Sequence, residues 1–99
     1  MENINPNMPP LSSEAKTLLK EASQDRSGAI NRKQFLNNES VVQTNGKNFI
    51  ADKNPRTFAI WSGAVDELEK FGLIEAKGHK RELFDVTRNG YALADSIKL

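Results

Sequence analysis

Apolar residues recur along the first part of the chain with the spacing of a helix. Between residues 11 and 22 they return every three or four positions, which places them on one helical face. Ser12 or Ser13 can accept a hydrogen bond from the first free amides, and the turn residues of SQDRSG follow the periodic stretch. The pattern predicts a helix over residues 11–22.

A second and longer helix is predicted to begin at Pro55 and to run to about Phe71. Asn54 is a favourable N-cap residue, and proline is tolerated at the first helical position because its missing N–H would have no partner there. Gly72 matches the glycine that commonly follows a helix C-terminus. Trp61 lies at the centre of the apolar stripe, so we expect it in the core. The stripe consists of Phe58, Trp61, Ala64, Val65, Leu68 and Phe71.

Two β-prone runs in VVQTNGKNFI predict a hairpin that pairs residues 41–44 with 47–50. The Asn-Gly pair at 45–46 joins them, and this pair is favoured in type I′ turns because both central residues need a positive φ angle. The preceding run, GAINRKQFLNN, fits either a strand from Ile30 or a short helix capped by Asn31. The hairpin favours the strand, because two strands alone are only marginally stable.

The stretch FGLIEAKGHKRELFDVTRNGY predicts a second hairpin followed by a helix. LIEAK and ELFDV form its strands, GHKR forms its turn, and the alternation suggests that Leu73 and Leu83 face the core. Thr87 can cap the last helix, which carries Tyr91 as an expected core residue. The predicted order is α-β-β-β-α-β-β-α, which is an α+β fold in a single domain.

The run AVDELEKFGLIE, followed by AKGHKRELFDVT, resembles the second half of a winged-helix domain. In that family a helix ending in GLI turns straight into a strand, and a two-stranded wing follows. The same region, together with QTNGKNFI, also resembles an uncharacterised bacterial domain. The resemblance implies a winged-helix-like domain over residues 11–99, in which the hairpin at 41–50 replaces the usual second helix. Residues 1–10 are rich in Asn and Pro and are expected to form a disordered tail or linker.

Composition restricts the classes of function. The chain has 99 residues and no cysteine, which excludes disulfides and thiolate metal sites. Its net charge is +1, from 14 basic and 13 acidic residues, so binding to nucleic acid would depend on local clusters of charge. No apolar run approaches the ~20 residues that span a bilayer. We expect a cytoplasmic protein without a membrane partner.

Basic residues cluster at two places in the predicted fold. Four of them occupy the tip of the predicted wing, and two more stand at the start of the second helix, where they can reach phosphates. These features predict binding to double-stranded DNA. The candidate nucleic-acid-binding residues are Lys53, Arg56, Lys77, His79, Lys80 and Arg81. Arg32, Lys33 and Lys47 would extend the basic edge if the sheet placed them on one side, although edge strands often carry lysine merely to block aggregation.

An alternative function is interaction with another protein or self-association. The near-neutral charge favours it, as does the acidic second half of the surface of the long helix. There Asp66 and Lys70 have the spacing of an ion pair within one helix. Enzymatic activity is not expected, because the chain has a single histidine, no P-loop and no recognisable nucleophile arrangement. For the same reasons no metal ion or other cofactor is predicted.

Overall fold

The computed structural model of the chain describes residues 10–35, 39–50, 52 and 54–97. The predicted tail at residues 1–10 therefore lies outside the described residues, apart from Pro10. None of the described helices is long and apolar enough to cross a lipid bilayer. The described residues form a small α+β domain of three helices and five strands: α1 (Ser13–Gln24), β1 (Ala29–Gln34), β2 (Ser40–Thr44), β3 (Lys47–Asn48), α2 (Pro55–Lys70), β4 (Ile74–Lys77), β5 (Leu83–Val86) and α3 (Arg88–Ser96).

The strands of the described residues form one antiparallel sheet in the order β3-β2-β1-β5-β4. β1 is the central strand, and it pairs Ile30 with Phe84 of β5 and Arg32 with Val42 of β2. The run GAINRKQFLNN therefore contains a strand, and its alternative interpretation as a short helix is wrong. A helix there would leave the facing backbone groups of β2 and β5 without partners.

The core lies between the three helices and one face of the sheet. Phe84 is fully buried in this core opposite Ile30 of β1. Because successive side chains of a strand point to opposite faces, Leu83 must lie on the other face of the sheet. Its side chain is 41% exposed there, so the prediction that Leu83 faces the core is wrong. The sheet buries Ile30, Val42, Ile74, Phe84 and Val86 against the helices.

The predicted signals at the ends of α2 are confirmed. Asn54 Oδ1 accepts a hydrogen bond from the amide of Arg56 at 2.9 Å. After the helix, Gly72 adopts a φ of 72°. Its amide donates a hydrogen bond to the backbone carbonyl of Glu69, and the amide of Leu73 donates one to the backbone carbonyl of Leu68. This pair of hydrogen bonds is the Schellman arrangement, which favours glycine at the left-handed position. The tight end leads within four residues into β4 and fixes where that strand begins relative to α2.

Three aromatic side chains are less buried than the sequence predicts, and one of them is Phe71 of the predicted α2 stripe, which is 36% exposed. Trp61 is only partly buried, and its ring stacks on Phe49 with the centroids 4.7 Å apart. Tyr91 is 40% exposed, and its hydroxyl lies so close to Gly28 that a Cβ added there would be 2.1 Å from the hydroxyl oxygen. Trp61 therefore packs at the rim of the core, whereas the exposed Tyr91 ring lies with its hydroxyl against Gly28.

Asp25 connects the loop before β1 to the Asn-Gly turn. One carboxylate oxygen accepts hydrogen bonds from the amides of Ser27 and Ala29, and the other accepts one from the amide of Asn45 at 3.1 Å. The hydrogen bond from the Ala29 amide is the main cause that lowers the pKa of Asp25 below its ordinary value of 3.8. The charged carboxylate therefore stabilises the folded connection between α1, β1 and the β2–β3 turn.

We expect the free energy of unfolding to fall as the pH drops below about 4. A carboxyl with a lowered pKa in the folded state stabilises the fold above its unfolded pKa, and this stabilisation is lost as the pH falls through the folded pKa. Urea denaturation at pH 7 and at pH 3 measures this effect. The free energy of unfolding of Asp25→Asn should fall less between these two pH values than that of the native protein. Equal losses for the native protein and Asp25→Asn would contradict this role of Asp25.

Candidate nucleic-acid interface

The β4–β5 hairpin projects a loop, residues 78–82, into solvent. The two strands pair in a register that places Lys77 opposite Leu83. Two loop residues have left-handed backbone conformations, Gly78 with a φ of 81° and Arg81 with a φ of 54°. Glycine adopts such angles without cost, whereas they are uncommon for other residues. The first four residues of the loop are all exposed, so the tip presents its cationic side chains to solvent.

Lys77 forms an ion pair with the strand that follows the loop. Its Nζ lies 2.8 Å from Oδ2 of Asp85, and 60% of the Lys77 side chain remains exposed. The hydrogen bond to Asp85 is the main cause that raises the pKa of Lys77 above its ordinary value, and the charge of Asp85 acts in the same direction. Lys77 therefore stays positively charged throughout the neutral pH range, although its charge is partly offset by Asp85.

The acidic half of the α2 surface is engaged by partners from elsewhere in the chain. Asp66 accepts a hydrogen bond from Arg32 at 2.6 Å, and Glu69 pairs with the loop residue Arg81. Glu67 accepts hydrogen bonds from the amide and the hydroxyl of Ser12. The predicted pair of Asp66 with Lys70 is therefore wrong, since β1 brings a better-placed arginine to Asp66. The pairs with Arg32 and Arg81 offset the charges of Asp66 and Glu69, which reduces the repulsion that these two carboxylates would exert on a phosphate backbone.

His79 and Lys80 form the outermost part of the loop. Neither side chain has an ion-pair partner within the ranges that the structure describes. They border an open cleft of about 380 Å³ whose other lining residues are Lys77, Gly78, Glu82 and Leu83. This cleft combines several cationic groups with the apolar side chain of Leu83, and its single carboxylate belongs to Glu82.

Arg56 lies in the first turn of α2 and is exposed. It precedes Glu69 by thirteen positions, which corresponds to about 20 Å along the helix axis. Because Arg81 pairs with Glu69, the loop lies beside the C-terminal half of α2, and Arg56 lies near the opposite end. Lys53, the other cation predicted near this helix start, lies outside the described residues.

The three further cations do not share one side of the sheet, so the condition for a longer basic edge is not met. Arg32 points to the helix side of the sheet, Lys33 lies on the opposite side over the ring of Phe35, and Lys47 pairs with Glu21 at 2.8 Å. The contacts of Arg32 with α2 are not predicted from the sequence. The spacing of Ile30 and Arg32 was the available signal, because residues two apart in a strand share a face.

Comparisons of the chain with protein-family models, with curated proteins and with solved structures find no match.

Proposed function

We propose that the chain is a winged-helix-like domain of the cytoplasm that binds double-stranded DNA through the loop 78–82, the adjoining Lys77 and the first turn of α2. The proposal is based mainly on the exposed loop, because four cationic or titratable side chains lie within five positions on a projecting hairpin. Long side chains in such a position reach phosphate oxygens, which account for most hydrogen bonds in protein–DNA complexes. These side chains are Lys77, His79, Lys80 and Arg81.

The ion pairs of the hairpin are compatible with this function. Lys77 and Arg81 are paired, but more than half of each side chain is exposed. Exposed ion pairs contribute little to stability, so a phosphate can replace the carboxylate as the partner of either cation. At the same time, the pairing of Asp66 with Arg32 offsets a negative charge that would otherwise face the DNA.

The spacing of the two cationic groups favours contact with two separate segments of backbone. Arg56 lies about 20 Å along the α2 axis from Glu69, which pairs with the side chain of Arg81. It lies about 15 Å from Asp66, which Arg32 joins to the carbonyl of Arg81. One phosphate cannot bind both groups, whereas backbone segments on either side of a groove can. Binding of this kind depends on phosphates and is therefore tolerant of sequence and sensitive to salt.

The test is the affinity for a labelled duplex of about two helical turns, measured by fluorescence anisotropy at about 50 mM salt. Replacing Lys77, Lys80 and Arg81 with alanine is expected to weaken binding by at least about tenfold, because three phosphate contacts are lost. The matched control replaces three cations outside the loop and α2: Lys16, Arg26 and Arg88.

The control triple variant should bind much more tightly than the loop variant, although both lose the same charge. An equal loss of affinity in the two variants would show that net charge, rather than the loop, determines binding. If the native protein shows no measurable binding at low salt, the proposed function is wrong.

Self-association is a second candidate function, favoured by the face of the sheet that the helices leave uncovered. Leu83 is 41% exposed on this face, and Phe35, next to Lys33, is 43% exposed. The charged residues of the face balance, which would allow two copies to meet without net repulsion: Lys33, Glu75, Lys77 and Asp85. Light scattering would support this candidate if a dimer formed and Leu83→Lys dissociated it. A strict monomer would remove it.

A further inference from the structure

Arg32 joins the central strand to α2 and to the loop 78–82. Its Nη1 lies 2.6 Å from Oδ1 of Asp66 and donates to the carbonyl of Ser62 at 3.2 Å. Its Nη2 donates to the carbonyl of Arg81 at 3.3 Å. The guanidinium carbon also lies 5.0 Å from the ring centroid of Phe84. Only 14% of this side chain is exposed, so it is held between the sheet and α2 rather than available to a ligand.

Further contacts tie the same part of the loop to both neighbours. The amide of Arg32 donates to the carbonyl of Glu82 at 2.7 Å, which continues the pairing of β1 with β5. Arg81 adopts a left-handed conformation in which its carbonyl accepts from Arg32 while its side chain pairs with Glu69. Glu69 follows Asp66 by three positions, so the two carboxylates are neighbours on one surface of α2.

The geometry requires an arginine. A guanidinium is planar and presents five N–H donors in a fixed fork, so it can donate in several directions while stacking on an aromatic ring. Lysine carries the same charge but concentrates it in one ammonium group that cannot reproduce these contacts. The contacts of Arg32 therefore depend on its shape as well as on its charge.

We infer that Arg32 is a positioning residue, which fixes the loop 78–82 relative to α2 without itself contacting the nucleic acid. This inference rests on the proposed function, since the loop and α2 supply the two cationic groups of that interface. A loop held in place before binding loses less conformational entropy when it binds, and affinity rises accordingly.

Two measurements on Arg32→Lys and Arg32→Gln test this role. Residual dipolar couplings of the amides of residues 78–82, compared with those of α2, report the orientation of the loop. Duplex affinity is measured by anisotropy under the same conditions. Both variants should change the loop couplings and bind roughly two- to tenfold more weakly, although Arg32→Lys retains the charge. Lys33→Ala, which removes the neighbouring cation on the other face of β1, should leave the couplings unchanged.

Asp66→Asn provides an independent test at a position whose side chain is 61% exposed. It removes a negative charge, so simple electrostatics predicts tighter binding to DNA. The positioning role predicts the opposite, weaker binding together with altered loop couplings.

Unchanged loop couplings in all three variants would overturn the role of Arg32, as would tighter binding by Asp66→Asn with the loop unmoved. If the native protein binds no duplex, the proposed function alone is wrong. In that case altered couplings in Arg32→Lys and Arg32→Gln would still support the positioning of the loop by Arg32, and unchanged couplings in all three variants would still overturn it.

Discussion

Gly90→Ala is expected to destabilise the fold by about 3 kcal/mol, because the first turn of α3 packs its backbone directly against the start of β4. A Cβ at this position would lie 2.1 Å from the carbonyl oxygen of Leu73 and 2.8 Å from Cγ1 of Val86. The oxygen belongs to the backbone and accepts a hydrogen bond from the amide of Thr87, so it cannot move away without loss of that bond. The overlap must be relieved by displacing α3.

Thermal unfolding followed by circular dichroism measures this effect. A loss of about 3 kcal/mol corresponds to a fall in Tm of roughly 12–24 °C for a domain of this size. Gly63→Ala is the matched control, because a Cβ at Gly63 in the middle of α2 would meet no atom within 4 Å. Alanine is favoured over glycine inside a helix by about 1 kcal/mol, so this control should be as stable as the native protein or more so. Equal destabilisation by both substitutions would contradict the close approach at Gly90.

Phe84→Ala is expected to lower the free energy of unfolding by about 3–5 kcal/mol. The ring is fully buried at the centre of the sheet, opposite Ile30, and it also lies under the guanidinium of Arg32. Its removal leaves a cavity that the flanking strands cannot close without breaking their pairing. Small domains are stable by about 5–15 kcal/mol in total, so much of the stability would be lost.

Urea denaturation compares Phe84→Ala with Leu83→Ala, the preceding residue of the same strand. Leu83 lies on the uncovered face of the sheet, so its replacement should cost about 1 kcal/mol or less. The pair of variants therefore tests which face of β5 is turned to the core. A larger loss for Leu83→Ala than for Phe84→Ala would show that the strand has the opposite orientation.

The elements that the sequence predicts well are those specified by neighbouring residues. Asn54, Pro55 and Gly72 define both ends of α2 through local hydrogen bonds and backbone angles. The Asn-Gly turn at 45–46 likewise shows positive φ at both positions, as the type I′ geometry requires. Each of these signals acts within a few residues, so no knowledge of the remaining fold is needed to interpret it.

The incorrect predictions concern contacts between distant parts of the chain. Leu83 and Phe84 are both apolar, and only the pairing of β5 with the buried face of β1 determines which of them enters the core. Lys70 lies one helical turn from Asp66, but Asp66 pairs instead with Arg32 of β1, which lies 34 positions earlier in the chain. Local spacing contains no information about which strand will lie beside a helix.

The cationic loop combines a feature that neighbouring residues specify with contacts that depend on distant parts of the chain. Its place at the tip of a hairpin follows from the local pattern, and the structure shows an exposed loop there. The partners of its cations do not follow, since Arg81 pairs with Glu69 of α2 and Lys77 with Asp85 of β5. These pairs are formed by the packing of the hairpin beside α2, and they determine how the charges are held before any ligand binds.

The most direct measurement of the proposed function is the salt dependence of duplex binding by the native protein. Four phosphate contacts, from Arg56, Lys77, Lys80 and Arg81, predict that log Kobs falls with log salt concentration with a slope of about −3 to −4. A slope in this range would support binding through the two cationic groups. A slope near zero, or no detectable binding at about 50 mM salt, would contradict it.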